Sequence, residues 1–119
     1  MRWALVTGAA RGIGRAVARR LLVEGYGVLA VDRDREMLAR TLAELATDGT
    51  IEGEVADLAD PGAIDALADR LRHRTDRLAA LVNNAGINIR KPLEELAEAE
   101  WARVLAVNLT APFLLVRAL

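Results

Sequence analysis

Short runs rich in valine, leucine and isoleucine alternate along this chain with longer segments whose apolar residues recur at helical spacing. That alternation restricts the fold more than any other feature, because it is the pattern of βαβ units, parallel strands joined by helices that cross over the sheet. Strands are predicted at Arg2 to Thr7, Gly27 to Asp32, Ile51 to Ala56 and Leu78 to Asn83. Helices are predicted at Gly12 to Glu24, Arg35 to Ala46 and Pro61 to Arg72, with a fourth from Glu98 to the chain end. Leu38, Leu42 and Leu45 share one helical face, as do Ile64, Leu67, Ala68 and Leu71. The punctuation agrees. Asp34 and Asp60 suit N-caps, Pro61 suits a first helical position, and Gly25 and Gly49 fall where left-handed C-terminal residues belong.

Composition removes several classes of function. At 119 residues the chain is expected to be one domain, and a chain of this size buries roughly two-thirds of its unfolded surface. Sixteen basic and 17 acidic residues give a formal charge of -1, which argues against a nucleic-acid or anionic-membrane surface. With no cysteine and a single histidine, His73, neither a disulfide nor a metal site is expected. The apolar part of the first strand is too short for a signal peptide or a membrane span, so the cytoplasm is the expected location. Trp3 and Trp101 are expected to pack, and His73 to be exposed. The acidic residues Glu94, Glu95, Glu98 and Glu100 read as a solvated entry to the last helix, favoured by its dipole.

Chemistry concentrates in the turns that follow the strands. Thr7-Gly8-Ala9-Ala10-Arg11-Gly12-Ile13-Gly14 joins a strand to a helix. There the backbone N–H groups and the positive end of the helix suit a pyrophosphate. Gly8 allows a sharp exit, Gly12 leaves room for close approach of phosphate, and Gly14 permits tight helix–strand packing. A glycine-rich turn by itself is as often a merely tight connection as a phosphate site. The next strand adds weight, since it ends in Asp32, where a carboxylate can accept both ribose hydroxyls of an adenosine and repel a 2′-phosphate. NAD is therefore expected over NADP, with Arg11 and Arg33 as cations that soften the preference or simply face solvent.

The spacing Gly-x-x-x-Gly-x-Gly, Asp57-Leu58 after the third strand, Asn83-Asn84-Ala85-Gly86 after the fourth and Asn108-Leu109 in the last helix resembles the short-chain dehydrogenase/reductase family over the whole chain. The resemblance implies the first half of a Rossmann fold, an α/β doubly wound parallel sheet with strand order 3-2-1-4. It also implies hydride transfer between a nicotinamide cofactor and a small alcohol or carbonyl substrate. In such a protein Asp57 bonds the adenine amino group, Leu58 supplies a neighbouring backbone contact, and Asn83, Asn84, Ala85 and Gly86 lie along the adenosine ribose. Thr7, Gly8, Arg11, Gly12, Ile13, Gly14, Asp32 and Arg33 complete the expected cofactor-binding set. Asn108 matches the asparagine of a catalytic tetrad whose other members are serine, tyrosine and lysine. This chain has no serine, one tyrosine, Tyr26, and one lysine, Lys91. It is therefore expected to be either the truncated first half of such an oxidoreductase or a catalytically silent dinucleotide-binding or half-fold assembly module.

Asn108 also has a reading from its own surroundings. Pro112, four residues on, has no N–H, so in a continuous helix the Asn108 carbonyl loses its usual donor. That acceptor could hold a water; a proline that only kinks a packing helix is an equal alternative. Ala97 stands at the N-cap, a choice that costs on the order of 1 kcal/mol relative to a capping side chain. The strand Leu78 to Asn83 and the run Phe113 to Val116 leave apolar surface at an edge and on the terminal helix. A homo-oligomer or a complementary half is expected to cover it.

Overall fold

A computed structural model describes residues 1–75 and 77–119. Four parallel strands, β1 (Trp3–Thr7), β2 (Gly27–Asp32), β3 (Ile51–Val55) and β4 (Leu78–Val82), form one sheet in the order β3-β2-β1-β4. Helices α1 (Gly12–Val23), α2 (Arg35–Leu45) and α3 (Pro61–Arg74) make the crossovers. A short 3₁₀ turn, Leu93–Glu95, precedes α4 (Glu98–Leu105), which runs through one π-helical turn, Ala106–Thr110, into α5 (Ala111–Ala118). The expected topology is the observed one, and the ends of the predicted elements differ by no more than two residues. The expected unbroken last helix differs at its centre: Ala111 N–H reaches back five residues to the Ala106 carbonyl, and Pro112 follows with no N–H to restore the α-helical ladder.

Strand alternation sends side chains to two cores. Val6, Val28 and Ala30 pack with Ala18 and Leu22 of α1 and Leu38 and Leu45 of α2. On the other face Leu5, Leu29 and Val31 pack with Ile64, Leu67 and Leu71 of α3 and Ala111 and Leu115 of α5. Leu5 sits at the centre with 0% exposure, and its truncation to alanine would cost about 2–5 kcal/mol.

The two sheet edges are built differently. On β3, Glu54 meets Arg70 at 2.8 Å and Arg74 at 3.0 Å, and Glu52 also pairs with Arg74. Charged side chains of this kind discourage pairing with another chain. β4, the opposite edge, carries Leu-Ala-Ala-Leu-Val without a charge.

Helix ends follow local chemistry. Asp34 accepts from Met37 N–H and Asp60 from Gly62 N–H. Gly25, at φ 90°, closes α1 with paired bonds from Gly25 N–H to Leu22 O and Tyr26 N–H to Leu21 O. Gly49 departs from expectation: at φ 158° it lies close to extended backbone rather than in the left-handed helical region. At α4 the alanine cap is partly compensated, because Glu100 accepts the Ala97 N–H at 3.1 Å while also pairing with Lys91. The Lys91 ammonium and the Ala97 N–H hold the Glu100 carboxyl below its ordinary range. His73 is exposed, as expected. Trp3 packs against the core, but Trp101 is 56% exposed, contrary to its expected packing role.

Candidate dinucleotide cleft

The turns after β1, β2, β3 and β4 open on the same end of the sheet and enclose a cleft of about 460 Å³. This is the carboxyl end of a parallel sheet, where ligands of open α/β folds bind. Gly8, Arg11, Gly12 and Ile13 line it from the first turn, Asp32 and Arg33 from the second, Asp57 and Leu58 from the third, and Asn84, Ala85 and Gly86 from the fourth. Three of the expected cofactor-binding residues stand elsewhere, and Asn108 is also outside the lining. Thr7 and Gly14 are buried beneath the cleft, and Asn83 is exposed outside its lining.

Gly8 and Gly12 adopt φ 62° and 57°, which a side chain would strain. A Cβ on Gly14 would lie 2.5 Å from the Asn84 amide nitrogen and 2.7 Å from the Gly8 carbonyl carbon, so packing alone requires glycine there. The helix that starts here differs from its neighbours. α2 and α3 are capped by aspartates, whereas α1 has no capping side-chain bond and no acid in its first turn. Its positive end therefore meets no capping side chain or acid of its own, an arrangement that suits an anion.

Asp32 is fixed by backbone donors. Ala10 N–H donates to Oδ2 at 3.1 Å and Asp34 N–H to Oδ1 at 3.0 Å. A carboxylate has about four acceptor sites, so each oxygen keeps capacity for a hydroxyl. Arg11 is paired with Asp34 at 2.8 Å. On the far side, Ala59 N–H donates to Asp57 Oδ1 at 3.0 Å. This bond, opposed by partial desolvation and aided by the Arg103 and then Arg33 cations, holds the Asp57 carboxyl below its usual range.

The turn after β4 is tied to β1. The Thr7 hydroxyl accepts from Asn84 N–H at 3.1 Å and Ala85 N–H at 3.0 Å, and the Asn84 amide donates to the Thr7 and Gly8 carbonyls at 3.1 and 3.2 Å. Asn108, in the π-helical turn, donates from Nδ2 to Ile87 O and accepts from Ile87 N–H, both at 2.8 Å. Its side chain is therefore committed to the loop leaving that turn, and only its carbonyl is left by Pro112 without the usual i+4 donor. Tyr26 lies under the Arg2 guanidinium, 4.4 Å from ring centre to cation, and does not line the cleft.

Sequence reasoning missed Arg103 and Val107, which line the cleft from the last helix, and Ile87, which follows the fourth turn. Arg103 lies in α4 and Val107 in the π-helical turn that follows it; their four-residue spacing does not say which face of the helix docks over the sheet.

The model of the short chain dehydrogenase family matches residues 2–119, and the chain belongs to that family. It is 43% identical over 117 residues to (5R,7aS)-5-hydroxy-7a-methyl-1-oxo-2,3,5,6,7,7a-hexahydro-1H-indene-carboxyl-CoA reductase of Mycobacterium tuberculosis, covering 96% of this chain and 45% of the relative. D-threitol dehydrogenase of Mycolicibacterium smegmatis is 40% identical over 116 residues, with 97% and 45% covered. Among solved structures, a metagenomic short-chain oxidoreductase in complex with NADP superposes with a TM-score of 0.93 at 43% identity, covering 98% of this chain and 53% of that one. The Pseudomonas aeruginosa RhlG/NADP active-site complex gives 0.91 at 37%, with 99% and 46% covered. The chain thus spans about half the length of the relatives it matches.

Proposed function

We propose that this chain is the nicotinamide-dinucleotide-binding part of a short-chain oxidoreductase. The whole protein would move hydride between that cofactor and a small alcohol or carbonyl substrate. The observation that carries the reading is the uncapped start of α1 beside a backbone-fixed Asp32, which supplies an anion site and a ribose acceptor in one cleft. Adenine would lie toward Asp57 and Leu58, the adenosine ribose between Asp32 and the Asn84–Gly86 turn, and the pyrophosphate over Gly8 to Ile13.

Six solved relatives, the two above among them, are complexes with NADP, NADPH or 5-hydroxy-NADP. For this chain we propose NAD as the preferred cofactor. The Asp32 carboxylate would repel a 2′-phosphate, and of the two cations that line the cleft beside it Arg11 is already engaged by Asp34, while Arg33 would soften the preference. The π-helical turn at Asn108 suits a positioning role for its carbonyl in proton relay. The serine, tyrosine and lysine that would complete such a site are not in this sequence, since Tyr26 and Lys91 lack the Tyr-x-x-x-Lys spacing. A soluble cytoplasmic protein is the companion proposal. Glu98–Ala118 is long and apolar enough to cross a membrane by length and composition, but Ala111 and Leu115 of that helix are buried in the sheet's core.

The experiment is a binding titration paired with an activity assay. The 119-residue chain is expected to bind NADH and to oxidise or reduce no alcohol or ketone. Turnover that survives rigorous purification and falls in Asn108→Ala would overturn the second half of this expectation.

A further inference from the structure

Among the described residues, two polar side chains are buried almost completely: Thr7, with 1% exposure, and Thr41, with 0%. Thr7 belongs to the glycine-turn motif and holds the turn after β4. Thr41 lies in the middle of α2, outside every motif. A threonine inside a helix ordinarily returns its hydroxyl to a carbonyl three or four residues back. Thr41 instead donates to the carbonyl of Ala10 at 2.6 Å, 31 residues away in sequence.

Ala10 lies in the turn between β1 and α1, and it is held from both sides. Its carbonyl is fixed by Thr41, and its N–H donates to Asp32 Oδ2. The peptide bond is planar and trans, so the Ala10 carbonyl and the Arg11 N–H point in opposite directions. Fixing the carbonyl toward α2 therefore turns the Arg11 N–H away from α2. Arg11 is the N-cap residue of α1 and lines the cleft.

We infer that Thr41 is a positioning residue of the nucleotide site, setting the Ala10–Arg11 peptide so that its N–H serves the pyrophosphate and keeping Ala10 in register with Asp32. The inference rests on the dinucleotide reading of the cleft. Without the hydroxyl, the buried Ala10 carbonyl has no partner from α2, and the turn would rotate to find one. The cost would then fall on the turn that binds cofactor.

The test compares Thr41→Val, which keeps the shape and removes the donor, with Thr41→Ser, which keeps the donor. Two quantities are read on the full chain: NADH affinity of the folded protein, and amide hydrogen exchange at Ala10 without ligand. Loss of one buried hydrogen bond predicts about tenfold weaker NADH binding in Thr41→Val and exchange about tenfold faster at the Ala10 amide, which Asp32 holds. Exchange at Asn84 and Ala85, held by Thr7, is expected to stay unchanged, and Thr41→Ser to restore both readouts to within about twofold. If Thr41→Val does not fold, Thr41→Ala removes the same donor without placing a methyl against the Ala10 carbonyl, and the same readouts apply. A variant that melts earlier yet binds NADH like the parent, with unchanged exchange at Ala10, would make Thr41 a packing residue and overturn the inference. Failure of the parent chain to bind NADH would remove the dinucleotide reading instead, while the exchange data would still show whether Thr41 holds the turn.

Discussion

Arg103, on α4, reaches the carboxylate of Asp57 in the turn after β3, with guanidinium nitrogens 3.3 to 3.4 Å from its two oxygens. The contact joins the adenine end of the cleft to the helix that leads into Asn108. It also places a cation beside the group proposed to accept the adenine amino hydrogen. Asp57 thereby stays ionised and oriented while its remaining lone pairs face the cleft.

That pairing has a pH signature. Asp57 titrates below its ordinary value of 3.8 in the folded chain, chiefly through the Ala59 N–H and then through Arg103. A depressed carboxyl contributes stability that is fully present above the unfolded value and is lost as pH falls through the folded one. Arg103→Ala is therefore expected to destabilise the chain near neutral pH by no more than about 1 kcal/mol, because both partners are partly exposed. The difference is expected to vanish once Asp57 is protonated. Denaturant unfolding of both proteins across the acid range checks this; a difference that persists at the acid end would assign the effect to lost packing of the Arg103 stem.

Cofactor preference is expected to follow Asp32. Asp32→Ala removes an acceptor for two ribose hydroxyls, which predicts roughly tenfold or greater loss of NADH affinity and a smaller loss for NADPH, where relief of 2′-phosphate repulsion offsets the lost Ala10 N–H bond. Asp34→Asn keeps an effective cap on α2 while weakening the hold on Arg11, and is expected to improve NADPH binding alone. Calorimetric titration of each variant with both dinucleotides gives the comparison. An unchanged ratio in Asp32→Ala would remove that carboxylate from the discrimination.

Asn108→Ala deletes both bonds to Ile87. The expected result is about 1 kcal/mol of lost stability and faster amide exchange centred on Ile87, with the exchange of β1 and β2 unaffected. Exchange that rises evenly through the sheet would mean that Asn108 supports the fold as a whole and not the loop after β4.

Trp101, Leu105, Leu109, Phe113 and Val116 stand exposed along the last helix, and β4 offers an uncharged edge. Contiguous apolar surface of this kind marks an interface. The chain is expected to self-associate with rising concentration, and Leu109→Glu with Phe113→Glu to shift it toward monomer. Sedimentation velocity over a wide concentration range decides, and a stable monomer throughout would show that this surface is tolerated in water.

The succession of strands and helices was legible in the sequence because each crossover carries its own signals: Gly14 packs under the first turn, Asp34 and Asp60 cap the next two helices, and α2 and α3 each carry a leucine stripe, whereas the strand order came with the family resemblance. The cleft was legible where its residues follow strand ends. It was hidden where residues reach it from a distant helix, as Arg103 and Val107 do, or support it from the core, as Thr41 does. Those roles depend on how helices dock, which no local spacing encodes. The π-helical turn was half visible, since Pro112 announces a broken ladder without saying whether the helix kinks or widens.

The central claim is that the cleft formed by the Gly8–Gly14 turn, Asp32 and Asp57 takes a nicotinamide dinucleotide. Its most direct test is a calorimetric titration of the purified, folded chain with NADH. The account predicts saturable binding of one NADH per chain, tighter than NADPH and weakened by Asp32→Ala. A folded chain that shows no saturable binding of either dinucleotide would contradict it.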